Sequence, residues 1–299
     1  RDESWLVSLE QRERDSEAKE YSPMGKALVL GGGGIVGLAW EIGVLTGLRD
    51  AGVDLRDADV ILGTSTGAIA AAQIVSGVAL DELYERQLAP AGAEAAARPH
   101  WWVRARVAGT LLTARSPRLG RARVGLIAAS SARFSQAVRE PLLAAHLPAR
   151  DWPESTHLVV TAVDARSGAV RAFSRTDGVD LLHAVAASSA VPGLWPPVAV
   201  DGRWYIDGGV RSATNADLVA GHERVVVVAP SPRGPLLWRQ PVTVPFPEGT
   251  QCTWVTPSPE SRAAFGRDLF NPARRAAAAR AGRGQAAEVA VRVARTWGV

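Results

Sequence analysis

Two short apolar runs near the front of the chain each end in glycine, and a helical pattern follows each of them at once. Ala27–Leu30 leads into Gly31-Gly32-Gly33-Gly34-Ile35-Val36-Gly37, and Val60–Leu62 leads into Gly63-Thr64-Ser65-Thr66-Gly67. Apolar runs this short, bounded by glycine, read as buried strands. After the first, Leu38, Ile42, Leu45 and Leu48 recur at spacings of four, three and three. That periodicity keeps them on one face of a helix over Ile35 to Ala51, with Gly52 placed to end it. After the second, Thr66 to Ser76 reads as a helix of small residues that can press close to a sheet. A β-α-β-α order of this kind argues for a parallel sheet with helices on its faces.

The two glycine turns also carry chemistry. Gly63-Thr64-Ser65-Thr66-Gly67 fits G-x-S-x-G, in which a serine sits on a sharp strand-to-helix turn and its neighbours are small so that the chain can bend. Ser65 would project near the positive end of the helix that follows. The first run is ambiguous. Gly32-x-Gly34-x-x-Gly37 satisfies a dinucleotide fingerprint, but that fingerprint expects an acidic residue at the end of the second strand. Here that strand ends at Leu62-Gly63, and the nearest acids, Asp57 and Asp59, precede it. The alternative is that the N–H groups of Gly32, Gly33 and Gly34 face an anionic oxygen, as in an oxyanion hole.

A serine nucleophile needs a base, and the sequence offers two. Asp207 stands between a short strand, Trp204–Ile206, and the tight turn Gly208-Gly209. His222 follows downstream, so Ser65, Asp207 and His222 keep the Ser…Asp…His order of the α/β-hydrolases. The nucleophile comes only one β-α unit after the first strand, however, and His222 sits where a solvated loop histidine is common.

Further along, His157–Val163 and Val170–Phe173 read as strands joined by a hairpin turn at Asp164-Ala165-Arg166-Ser167-Gly168. Leu181–Ala190 reads as a small-residue helix stopped by Val191-Pro192-Gly193, and Val225–Ala229 as a buried strand. Pro272 to Trp297 is an Ala/Arg-rich helix, expected to break near Gly282-Arg283-Gly284. Between them, from Ala89 to Pro148, strand signals are few. This middle holds Trp101-Trp102 and nine arginines between Arg98 and Arg139, against Glu94 and Glu140. Two readings stand side by side. The arginines and tryptophans meet an anionic membrane surface, or the arginines are solvated helix faces and the tryptophans line the core.

Composition removes other classes. The net charge of +4 is carried almost wholly by arginine, the only lysines being Lys19 and Lys26. No clustered motif accompanies it, so nucleic acid is not an expected partner. A lone cysteine, Cys252, and five scattered histidines supply no metal-ligand spacing, and neither metal nor cofactor is expected. No apolar run is long enough to span a bilayer. Residues 1–23 are charged and aperiodic, and Met24 precedes the first strand. The expectation is a start at Met24 with an upstream extension or disordered arm before it.

The glycine run Gly31–Gly37, the turn Gly63–Gly67 and Asp207-Gly208-Gly209, in that order, resemble the patatin-like phospholipases. Ala187-Ser188-Ser189-Ala190-Val191-Pro192-Gly193 resembles a family segment upstream of the aspartate. The likeness spans about Lys26 to Val228. It implies a three-layer α/β/α sandwich with a central, mostly parallel sheet, one catalytic domain over 24–299, and a helical Arg-rich insertion at about 89–150. It implies a Ser–Asp dyad without histidine: Ser65 as nucleophile, Asp207 as base, Gly32 to Gly34 as oxyanion hole, and Gly63 and Gly67 shaping the elbow. The implied activity is calcium-independent hydrolysis of fatty-acyl esters of phospholipids; a cytoplasmic location is expected, with peripheral membrane contact if the first reading of the arginine-rich middle holds. A histidine-dependent esterase, a transacylase and a lipid-binding protein with dead chemistry are the rivals. The chain departs from the family at Val36, where Arg or Lys usually precedes the last glycine.

Overall fold

The computed structural model describes residues 25–90, 98–231 and 245–299. The charged segment 1–23, Met24 and Glu94 lie outside the described residues. In chain order the front half carries β1 (Lys26–Leu30), α1 (Gly34–Asp50), β2 (Val60–Thr64), α2 (Thr66–Ile74) and α3 (Leu80–Leu88). The middle carries α4 (Trp101–Thr113), α5 (Pro117–Ser131) and α6 (Gln136–His146). The back half carries β3 (His157–Asp164), β4 (Val170–Phe173), α7 (Leu181–Ser188), β5 (Val198–Val200), β6 (Arg203–Asp207), β7 (Arg224–Val228), β8 (Gln251–Val255), α8 (Pro259–Phe265) and α9 (Arg275–Trp297).

The strands form one eight-stranded mixed sheet in the order β5-β6-β3-β2-β1-β7-β8, with β4 also on β3. The pairs β1–β2, β1–β7, β2–β3 and β7–β8 are parallel. The β3–β4, β3–β6 and β5–β6 pairs are antiparallel. The β3–β4 hairpin turns as its sequence predicts, with Asp164 Oδ1 accepting from the N–H groups of Arg166 (2.9 Å) and Ser167 (2.7 Å).

Alternate strand residues feed two cores. Leu28, Leu30, Ile61, Leu158, Val160, Val226 and Val228 face the larger one, under α1, α2, α3, α7 and α9. Ala27, Val29, Val60, Leu62, Val159, Val225 and Val227 face the other side, where the short turn Ala216–Val219 covers them. Val163 keeps the parity of Val159, so α4 and α5, which pack Val103, Val107, Val124 and Ile127 against Val163 and Ile206, lie on this second face. Leu143 of α6 belongs to the first core. The arginine-rich middle therefore straddles the sheet, two helices on one face and the third on the other.

Two sequence expectations change. The apolar stripe of α1 predicts one buried face, yet every residue from Val36 to Leu48 is buried, because α9 lies across the side that would otherwise meet water. The crossing is built on glycine. A Cβ on Gly43 would stand 2.1 Å from the Ala279 carbonyl oxygen, one on Gly47 2.5 Å from that of Arg283, and one on Gly282 2.4 Å from that of Trp40. Gly282 is thus a contact point, and α9 runs unbroken through Gly282-Arg283-Gly284.

Gly43→Ala should destabilise the fold by about 1–3 kcal/mol, because its methyl meets backbone that cannot yield. Gly284, with nothing within 4 Å, is the control in the same pair of helices. Gly284→Ala should raise stability by roughly 0.5–1 kcal/mol through helix propensity. Urea unfolding of the two variants checks both signs.

Candidate active site

Strand β3 assembles the site. Its residues 160–163 pair with β4, which fixes β4 on one edge. On the opposite edge, β2 pairs through Thr64 with Thr161, and β6 takes over at the next residue, pairing Asp207 with Ala162. The C-terminal ends of β2 and β6 therefore meet head to head. The residue after Thr64 is Ser65, and its Oγ donates a 2.7 Å hydrogen bond to Asp207 Oδ2 across 142 residues of sequence.

Ser65 sits on a sharp turn between β2 and α2. Its φ of 56° and ψ of −124° are disfavoured for any side-chain-bearing residue. The flanking glycines are sterically required. A Cβ on Gly63 would lie 2.5 Å from the Ala68 Cα, and one on Gly67 2.2 Å from the Leu30 carbonyl oxygen. The Ser65 N–H donates to Ser188 Oγ at 2.9 Å, so the end of α7 helps hold the turn.

Asp207 is buried, and desolvation raises its carboxyl to about 6. The hydrogen bond from Ser65, the Gly209 N–H and the charge of Arg139 oppose that rise without cancelling it. Gly209 N–H reaches Asp207 Oδ1 at 2.7 Å, and the Asp207 N–H donates to the Ala190 carbonyl at 3.1 Å. Behind the dyad lies a polar layer that the sequence does not announce. Thr64 and Thr161 hydroxyls bond each other at 2.8 Å, and the buried Asn215 amide donates to both, at 3.1 and 3.2 Å. Asn215 adopts φ 51°, a left-handed geometry that asparagine tolerates better than most residues.

The glycine loop passes beside the serine: a Cβ on Gly32 would be 3.1 Å from Ser65 Cβ. Its three nominated donors are not equivalent. The Gly32 N–H is committed to the Ala213 carbonyl at 2.8 Å, whereas the Gly33 N–H meets the Thr66 hydroxyl at 3.0 Å. Gly34 opens α1, where N–H groups of the first turn have no intrahelical acceptor. Val36 is fully buried, its N–H on the Leu269 carbonyl at 3.1 Å. His222 is buried rather than solvated, its Nδ1 3.1 Å from the Val219 carbonyl oxygen. The structure does not bring it into the hydrogen bonding of the dyad. Among the described residues no three His, Cys, Asp or Glu side chains cluster as metal ligands.

The family profile for patatin-like phospholipases matches residues 28–220, and the chain belongs to that family of lipid hydrolases. No curated protein matches the chain in sequence. Among solved structures, VipD from Legionella pneumophila is similar at 14% identity with a TM-score of 0.44, covering 89% of this chain and 67% of its own. The type III effector protein ExoU is similar at 16% identity with a TM-score of 0.39, covering 92% of this chain. The match spans 54% of ExoU, about half its length.

The polar layer yields a stability test. Asn215→Ala should cost about 1–3 kcal/mol, since it leaves buried threonine hydroxyls short of a donor. Asn215→Gly removes the same amide but accepts the left-handed backbone, so its loss should be smaller by up to about 1 kcal/mol. Thermal melts of the two variants separate the amide from the backbone.

Proposed function

We propose that this chain hydrolyses fatty-acyl esters of glycerophospholipids through Ser65 and Asp207 acting as a dyad. The observation that carries the reading is the 2.7 Å bond from Ser65 Oγ to Asp207 Oδ2 on a strained elbow. In the first half-reaction Asp207 takes the hydroxyl proton as Ser65 Oγ attacks the ester carbonyl carbon. The carbonyl oxygen becomes an oxyanion and is received by backbone N–H groups of the glycine loop. Gly34 suits this task best, because the Gly32 N–H already donates to the Ala213 carbonyl, and the Gly33 N–H would first have to leave the Thr66 hydroxyl. The ester C–O bond breaks, and Asp207 returns the proton to the departing alcohol. Water, deprotonated by the same carboxylate, then attacks the acyl-enzyme, and the proton passes back to Ser65 as the fatty acid leaves.

Three rivals are separated by simple measurements. Loss of activity in a folded His222→Ala variant would favour a histidine-dependent esterase. Failure of a fluorophosphonate to modify Ser65 would favour a lipid-binding protein with dead chemistry. Acyl products appearing on an added alcohol in preference to water would favour a transacylase.

Access to lipid is assigned to the second face of the sheet. Trp101 is 79% exposed on α4 and Leu126 72% exposed on α5. Arg104, Arg106 and Arg123 are exposed on the same two helices. Apolar side chains beside arginines suit the headgroup layer of an anionic bilayer. No helix among the described residues is long and apolar enough to cross a membrane, so this contact would be peripheral.

Ser65→Ala and Asp207→Asn should each lower kcat on a fatty-acyl ester by about 10³-fold or more. Asp207 must be ionised to act as base, so activity should fall as pH drops through about 6. The stability effect has the opposite sign. A carboxyl raised by burial binds its proton more tightly in the folded state, so its contribution is lost as pH rises through about 6. Asp207→Asn, which mimics the protonated acid, should therefore melt no lower than wild type at about pH 8. A pH–rate profile and paired melts check both signs.

Flotation with liposomes tests the membrane face. Binding should be stronger with anionic lipid and should weaken in a Trp101→Ala, Trp102→Ala double variant. Each exposed arginine removed should cost about 1 kcal/mol of that binding. Equal binding to neutral and anionic vesicles would remove the electrostatic part.

A further inference from the structure

We propose that Arg139 is a positioning residue of the dyad, clamping from α6 the segment that holds Ser65 and Asp207 and supplying there the positive charge that the glycine loop lacks at Val36. The inference rests on the Ser65–Asp207 reading above.

Arg139 differs from the exposed arginines of α4 and α5 in being only 3% exposed. Burying a guanidinium is costly unless polar groups and charge offset the loss of water. The Arg139 Nη2 donates to the Ala186 carbonyl and to Ser189 Oγ, the latter at 2.9 Å. Its guanidinium lies over the Trp195 ring, 5.5 Å from the centroid. The Nη1 group is buried without a hydrogen-bond partner. Burial pulls the guanidinium down to about 10, and the charge it feels in return is that of Asp207. It remains a cation at neutral pH.

The clamped segment explains why this placement matters. Ser188 Oγ accepts the Ser65 N–H, Ser189 Oγ accepts from Arg139, and the Ala190 carbonyl accepts the Asp207 N–H. Three consecutive residues thus hold the nucleophile, the cation and the base. During attack the negative charge leaves Asp207 and reappears on the carbonyl oxygen, so the site carries one negative charge before and after the step. A cation held on the same segment would raise kcat by favouring the oxyanion, where charge develops in the transition state, more than it favours the ionised Asp207. Arginine or lysine at position 36 would be the expected source. Here that position is a buried valine, and the charge comes from a different helix.

The test uses the full chain and a small neutral ester, p-nitrophenyl butyrate, which presents no phosphate to Arg139. Arg139→Met should lower kcat by about tenfold or more with KM little changed, as for an interaction that matters in the transition state. It should also move the acid limb of the pH–rate profile upward, because Asp207 loses the charge that favours its ionised form. Arg139→Lys should recover much of kcat and restore the limb. A merely structural strut would move neither the limb nor the lysine rescue. Should Arg139→Met fail to fold, Ser189→Ala removes one of the two bonds of the clamp, leaves that to the Ala186 carbonyl, and keeps the charge. It should lower kcat several-fold and leave the limb in place. A folded Arg139→Met with wild-type kcat and limb overturns the inference alone, and so does wild-type kcat in both Arg139→Lys and Ser189→Ala where Arg139→Met does not fold. Wild-type protein that neither turns over the ester nor takes a fluorophosphonate on Ser65 overturns the dyad, and this inference with it.

Discussion

One edge of β3 is shared by two strands running in opposite directions, and the site exists because of where they meet. Thr161 and Ala162 are consecutive, and they pair with Thr64 of β2 and Asp207 of β6. Had β6 joined the sheet elsewhere, Asp207 would sit at the tip of another strand and the Ser65 hydroxyl would lose its carboxylate partner. Parallel strands present their C-terminal ends side by side, about 4.8 Å apart, whereas a head-to-head junction places the last residue of one strand against the turn leaving the other. The antiparallel part of the sheet is therefore the feature that converts a β-α-β-α framework into a candidate catalytic centre.

The front of the chain was legible because its signals are local. Glycine directly after a buried run marks a turn wherever the rest of the chain goes, and the Asp164–Gly168 hairpin closes on its own side chain. Ser65 and Asp207 were legible for the same reason, each carrying its turn residues beside it. What the sequence could not display were contacts made between distant segments. Gly282 and Gly284 look alike as helix breakers, but only the first touches another helix, and it is the close approach to Trp40 that gives it a role. The all-round burial of α1 needs α9, more than two hundred residues later in the chain. Asn215 and Ser188 have no motif of their own as polar partners; their roles appear only once β2, β3 and α7 converge. Spacing alone does not distinguish Gly32, Gly33 and Gly34 as donors; the difference among them depends on Ala213 and Thr66, which no spacing rule would nominate.

The arginine-rich middle shows how one composition can serve opposite physical ends. Its helices lie on both faces of the sheet, so a run that reads as uniformly basic is divided by topology into different environments. On α4 and α5 the arginines keep their charge in water beside exposed tryptophan and leucine. On α6 one arginine is turned inward against α7, where water is excluded and each charge acts at greater strength. No count of arginines distinguishes these cases. The distinguishing quantity is whether neighbouring backbone and hydroxyl oxygens replace the lost hydration, and Ala186 and Ser189 do so only after α7 has folded.

That exchange bears on why the candidate site tolerates so many buried polar groups. Asp207, Arg139, Thr64, Thr161 and Asn215 are all removed from water within one neighbourhood, and an apolar packing of the same volume would be easier to stabilise. Desolvation raises Asp207 toward neutrality, which makes it a better proton acceptor than an exposed carboxylate, while the strained elbow keeps Ser65 Oγ aimed at it. Both conditions oppose stability and favour proton transfer. The surrounding core must therefore be strong enough to hold them. The glycine-to-backbone crossing of α1 with α9 secures the helix that begins at the glycine loop, and Ser188, Ser189 and Ala190 secure the serine, the arginine and the aspartate from the other side.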